Sequence, residues 1–115
     1  MSVTIYHNPR CSKSRKTLEL LRSKGIEPFI VEYLKDPPTR KKLKEILAML
    51  NLEPRQLIRN TESIYKEKGL DDPSLDREQL VSAMVENPVL IERPIVISKG
   101  KAVIGRPPEN VLGII

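Results

Sequence analysis

Between Val3 and Leu34 the hydrophobic period of the chain changes from two to 3.6 and back, and this alternation leaves few folds open. Val3-Thr4-Ile5-Tyr6 is β-branched and aromatic, the make-up of a short strand. Asn8-Pro9 breaks it, because proline fixes φ and has no N–H to give to a ladder. From Ser12 the spacing predicts a helix, with Thr17, Leu18 and Leu21 on one face and Leu20 beside them. Gly25 falls where a left-handed C-terminal cap belongs, and Ile26 can fold back onto the leucines. Phe29 to Leu34 reads as a second strand. Strand, helix and strand within about 30 residues make a βαβ unit, with parallel strands and a right-handed crossover.

Asp36-Pro37-Pro38 stops this unit, and the period stays helical for the next stretch. Thr39 can cap a helix whose Leu43, Ile46, Leu47 and Leu50 follow the i, i+3, i+4, i+7 pattern up to Asn51. Pro54 suits the first turn of a short helix through Arg59, and Thr61 can cap another that ends at Gly69. Asp76 and Gln79 have capping-box spacing, opening a helix that buries Leu80, Val81, Met84 and Val85 and stops before Pro88. Residues 39–87 are thus expected to be a helical insertion. Ile95-Val96-Ile97 then returns as a buried strand. Lys99-Gly100 fits a tight turn, and Ala102-Val103-Ile104 is its antiparallel partner. Pro108 can begin a final short helix whose Val111, Leu112 and Ile115 pack on the sheet.

The predicted order is β-α-β, a helical insertion, then β-β-α. It is the order of a thioredoxin-like α/β fold with a mixed sheet of about four strands, here read as one domain over residues 1–115. In thioredoxin-like proteins the proline before the third strand is cis and faces the active thiol, and Pro94 holds that position.

Composition narrows the function classes. One cysteine among 115 residues can form neither an internal disulfide nor a multi-cysteine zinc site, so no metal is expected. The net charge of +5 permits weak attraction to anions. With three Tyr, one Phe and no Trp, stacking surfaces for single strands are scarce, and no nucleic-acid partner is expected. No apolar run approaches the roughly 20 residues of a membrane span, and the N-terminus lacks a signal layout, so a cytoplasmic location is the expectation.

The chemistry concentrates in Tyr6-His7-Asn8-Pro9-Arg10-Cys11-Ser12-Lys13-Ser14-Arg15, which holds the only cysteine and the only histidine. At a helix start, unpaired backbone N–H groups and the macrodipole favour a thiolate at Cys11. The same N–H groups would hold a tetrahedral oxyanion, with Ser12 and Ser14 as further donors. His7 can donate to the sulfur or pair with it as an imidazolium; it can equally hydrogen-bond the turn alone. Cys11 itself could be merely a small buried hydrophobe. Arg59, Arg93 and Arg106 each stand at the end of an element, where a guanidinium fork can reach a cleft. Each could also be solvated surface charge, or pair with Glu92.

The segment Ile5 to Arg15 resembles the active-site motif of the glutaredoxin-linked arsenate reductases, the ArsC family. The similarity continues through Glu27-Pro28, Tyr33-Leu34, Pro37-Pro38, Arg55 to Arg59, Asn87-Pro88, Ile91 to Val96 and Gly105 to Glu109. It implies a catalytic cysteine at Cys11, with His7 lowering its pKa and Ser14 supporting the thiolate. It also implies oxyanion-binding arginines at Arg59, Arg93 and Arg106, and it maps the third-strand proline onto Pro94. Arsenate would be the substrate, glutathione a co-substrate and glutaredoxin the partner, with no tightly bound cofactor. A lone cysteine must in any case borrow its resolving thiol from outside. Two alternatives share this scaffold. One is a glutathione-dependent thiol reductase with another substrate. The other is an Spx-type regulator that binds RNA polymerase. Such regulators carry a C-x-x-C switch, and Ser14 stands where its second cysteine would be.

Overall fold

In the computed structural model, which describes residues 2–115, the strand read at Val3–Tyr6 (β1) is an inner strand of a four-stranded sheet. Its neighbours are Phe29–Val31 (β2) and Ile95–Ser98 (β3), and Lys101–Ile104 (β4) lies beyond β3. β1 runs parallel to β2 and antiparallel to β3, and β3 is antiparallel to β4. The mixed α/β sheet and the thioredoxin-like order of elements are those expected. The chain divides into two compact units, one made of the residues up to Asp36 together with Arg93–Ile115, the other of Pro37–Glu92.

In the first unit, register puts Ile5 opposite Val96, and Val96 opposite Val103. Val3, Ile5 and Val96 join Leu18 and Leu21 of the helix Ser12–Ser23 (α1) and Val111 in one buried cluster. Ile26 packs against it from beyond the cap, where Gly25 adopts φ +76° and the Ile26 N–H reaches the Leu21 carbonyl at 3.0 Å. The Lys99-Gly100 turn has φ +56° and +73°, the two left-handed residues of a tight hairpin. Two expectations are corrected. β2 stops at Val31 rather than Leu34, because the Glu32 carbonyl turns to accept the N–H groups of Lys35 and Asp36, each at 2.9 Å. The final helix is a 3-10 segment, Pro108–Gly113, which buries Val111 and leaves Leu112 exposed.

The second unit contains the helices Arg40–Leu50 (α2), Pro54–Leu57 (α3), Ser63–Glu67 (α4) and Arg77–Glu86 (α5), then a 3-10 turn at Pro88–Leu90. Leu43, Ile46 and Leu47 of α2 and Leu80, Val81 and Met84 of α5 are buried, whereas Val85 is half-buried. The Thr39 hydroxyl accepts the Lys42 N–H at 3.1 Å, and Asp76 and Gln79 form the reciprocal box. α3 ends at Leu57, short of Arg59, because Ile58 turns extended and bridges to Ile91. α4 is capped by Glu62 rather than Thr61, and the Glu62 side chain makes no cap bond.

Both Arg93–Pro94, the expected position, and Arg106–Pro107 have cis peptide bonds. The loops carrying these bonds are held close, since the Gly105 N–H donates to the Pro94 carbonyl at 2.9 Å. A Cβ at Gly105 would lie 2.6 Å from Thr17 Oγ1 and 2.9 Å from Pro94 Cγ. Gly105→Ala is therefore expected to destabilise the fold by about 1–3 kcal/mol. Gly113→Ala, where a Cβ would meet nothing within 4 Å, should stay within about 0.5 kcal/mol. Urea unfolding of the two variants measures the difference, and equal midpoints would refute it.

Candidate active site

Cys11 is the N-cap of α1, extended at φ −93°, ψ 124°, with its carbonyl accepting the Arg15 N–H at 3.0 Å. The chain reaches it through a tight turn. The Cys11 N–H returns to the Asn8 carbonyl at 3.0 Å, and Asn8 Oδ1 accepts the Arg10 N–H at 3.0 Å. Arg15 closes the turn from the helix side, its Nη1 donating to the Pro9 carbonyl at 2.9 Å. Arg10, Lys13 and Lys16 are exposed. Because Cys11 is the cap, the N–H groups of Lys13 and Ser14 are among those that helix geometry leaves without a carbonyl.

Those donors decide the charge of the sulfur. Burial works against a thiolate, but the Ser14 N–H, the Arg93 guanidinium and the Lys13 N–H outweigh it and lower Cys11 to about 7. Arg106 Nη1 stands 3.9 Å from Sγ and donates to the Arg93 carbonyl at 3.1 Å. Two of the three expected arginines thus meet the thiol in the first unit, beside Pro94.

His7 serves this site differently from the expectation that its ring addresses the sulfur. Its Nδ1 is 2.7 Å from Ser14 Oγ, and the residue is buried. Burial lowers the imidazole pKa; Glu32 opposes that, and Arg22 and Arg15 add to it. A ring that is neutral at pH 7 supplies no imidazolium, yet it can accept the Ser14 hydroxyl proton at Nδ1. Ser14 Oγ in turn accepts the Asn8 N–H at 3.0 Å. The backbone places His7 there, since its N–H donates to the Val31 carbonyl at 2.8 Å and prolongs the β1–β2 pairing.

Arg59 belongs to the second unit. Its Nη1 donates to Glu92 Oε1 at 2.9 Å and its Nε to Glu62 Oε2 at 3.2 Å. Pairing with Glu92 was one sequence alternative, and for Arg59 it holds. Thr17 and Asn8 went unrecognised as parts of the site. Thr17 is fully buried, 2.8 Å from the Lys13 carbonyl and 3.3 Å from that of Gly105, so it ties α1 to the loop bearing Arg106. A threonine on an otherwise leucine face was the available signal. Among the described residues no group of three or more His, Cys, Asp or Glu could hold a metal, and no helix is long and apolar enough to cross a membrane.

A thiol lowered to about 7 is half ionised at neutral pH. The rate of iodoacetamide alkylation of Cys11 is expected to rise with pH around a midpoint near that value, and Arg93→Ala should move the midpoint upward. A wild-type midpoint at or above about 8.5 would refute the electrostatic account.

Comparison with known proteins gives the family of the chain. The ArsC family model matches residues 6–114. The protein YfgD of Escherichia coli K12, itself termed uncharacterized, is 54% identical over 114 residues, covering 98% of this chain and 96% of its own. An arsenate reductase of Haemophilus influenzae is 49% identical over 116 residues, with both chains covered completely. The solved structure of an arsenate reductase from Vibrio cholerae superimposes with a TM-score of 0.98 at 51% identity, over 100% of this chain and 98% of that one. With a family match over nearly its whole length and relatives at such identities, the chain belongs to the ArsC family.

Proposed function

We propose that this chain is an arsenate reductase in which Cys11 is the nucleophile and Arg59, Arg93 and Arg106 hold the oxyanion. The observation that carries the reading is a cysteine lowered to about 7 at a helix start, with Arg93 and Arg106 beside it. The names of the relatives in Haemophilus influenzae and Vibrio cholerae support the choice of arsenate.

The chemistry follows from charge. A thiolate and arsenate repel each other, and guanidinium groups with planar forks offset that repulsion better than lysine point charges. The Cys11 thiolate attacks As(V), an arsenic-bound oxygen leaves as water after protonation, and a Cys11–S–As bond forms. Helix N–H groups that favour the thiolate can then favour the arsenate oxygens that replace it. Glutathione displaces a second arsenic-bound oxygen as water and forms an As–S bond, and a glutaredoxin thiol then attacks the glutathione sulfur, breaking that bond and leaving its electron pair on arsenic. Two thiols become one mixed disulfide, their electron pair reduces As(V) to As(III), and arsenite leaves as the Cys11–As bond is hydrolysed. His7 and Ser14 position the start of α1 in this reading, and the resemblance assigns Arg59 as the third oxyanion ligand. Dependence on glutathione places the reaction in a reducing compartment, the cytoplasm.

A coupled assay with arsenate, glutathione and glutaredoxin tests the reading. Cys11→Ser should abolish turnover, and activity surviving in that variant would overturn the proposal. Arg93→Ala and Arg106→Ala should each raise KM for arsenate by about tenfold to hundredfold, the worth of a charge-assisted hydrogen bond.

A further inference from the structure

We infer that Glu92 and Glu62 are positioning residues for Arg59, holding its guanidinium ready for the oxyanion; the inference rests on the arsenate reading above. Arg59, Glu62 and Glu92 all belong to the second unit. Arg59 Nη1 reaches Glu92 at 2.9 Å and Nε reaches Glu62 at 3.2 Å. The Arg59 side chain is 15% exposed, and those of Glu62 and Glu92 are 28% and 29% exposed. Such burial separates these pairs from the exposed ion pairs of the surface, such as Arg22–Glu27 at 50% and 71%. Nε and Nη1 carry these bonds, one nitrogen of the fork to each carboxylate.

The backbone around the cluster is also fixed. The Arg59 N–H donates to the Leu90 carbonyl at 2.7 Å, and the Glu92 N–H to that of Leu57 at 3.1 Å, on either side of the Ile58–Ile91 bridge. Glu62 is the N-cap of α4 but its side chain makes no cap bond, and its carboxylate goes to Arg59 instead. An arginine side chain loses much of its rotamer freedom when it is fixed. Here two carboxylates have already fixed it, so that loss does not weigh against oxyanion capture.

Arsenate protection of Cys11 from iodoacetamide, with arsenate alone as the probe, tests this at equilibrium. Glu92→Ala should raise the half-protecting arsenate concentration about tenfold. Glu92→Gln, which keeps an acceptor for Nη1 and removes the charge, should stay within about threefold of wild type. Glu62→Ala should give a smaller shift in the same direction as Glu92→Ala; it leaves the Leu57–Glu92 backbone bond untouched and so reports even where Glu92→Ala fails to fold. In Glu62→Ala the pH midpoint of alkylation without arsenate should match wild type, which a general loosening of the fold would not allow. Unchanged protection in Glu92→Ala and Glu62→Ala overturns the inference, as does a loss in Glu92→Gln equal to that in Glu92→Ala. Absence of protection in the wild type overturns the arsenate reading itself, and this inference with it.

Discussion

The balance of charge at one sulfur organises the first unit. Burying Cys11 raises the cost of a thiolate, and only donors aimed at the sulfur reverse that cost. The donors come from distant parts of the sequence. The Ser14 and Lys13 N–H groups need α1 to start at Cys11, and that needs the turn closed by Asn8 and Arg15. Arg93 needs the loop that leads into β3, and Arg106 needs the loop that leaves β4. The antiparallel pairing of Ile95 with Ile104 brings both loops to the same end of the sheet. Tyr6 pairs with Ile95, so that end is also where β1 delivers the chain to the thiol. A four-stranded sheet with this order therefore does more than bury apolar area: it gathers a thiol and two guanidiniums without any long-range side-chain ladder.

His7 and Ser14 show how the turn is made rigid. A hydroxyl has one proton to give and two lone pairs. Ser14 Oγ accepts the Asn8 N–H and faces His7 Nδ1, so a fully buried hydroxyl is satisfied from both sides of the turn. Burial keeps the ring uncharged, which spares the interior an ion beside Arg15 and Arg22. Neutral His7 thus holds Ser14, whose backbone N–H is among the groups that favour the thiolate.

The sheet was legible because its strands carry period-two or continuous apolar runs, and the hairpin because Lys99-Gly100 tolerates two left-handed residues. α2 and α5 announced themselves by spacing and by side-chain caps. The errors fall where tertiary pairing overrides local preference. Ile58 leaves the helical pattern for Ile91, and Glu32 turns the chain before Leu34 can extend β2. Cys11 and the helix-start N–H groups followed from position, and Arg93 and Arg106 were candidates by standing at element ends, but only the resemblance joined them to the thiol. No periodicity links Arg93 or Arg106 to residue 11, since the link runs through sheet register. The Ser14 contact of His7 was hidden for a related reason: a side-chain direction at a strand end depends on the backbone bond to Val31, which only the folded pairing supplies.

The arginines resolve two competing demands by opposite means. Arg93 and Arg106 stand beside the sulfur, where positive charge offsets the cost of burying a thiolate. The same excess favours an approaching anion. Arg59 sits among two carboxylates, an arrangement that suits the proposed role of orientation better than one of attraction. It is well suited to geometry, because a guanidinium held at two of its three nitrogens has a fixed plane and a defined remaining edge. Attraction and orientation are separate contributions to binding an oxyanion, and an arginine held by counter-charges can supply the second only where others supply the first.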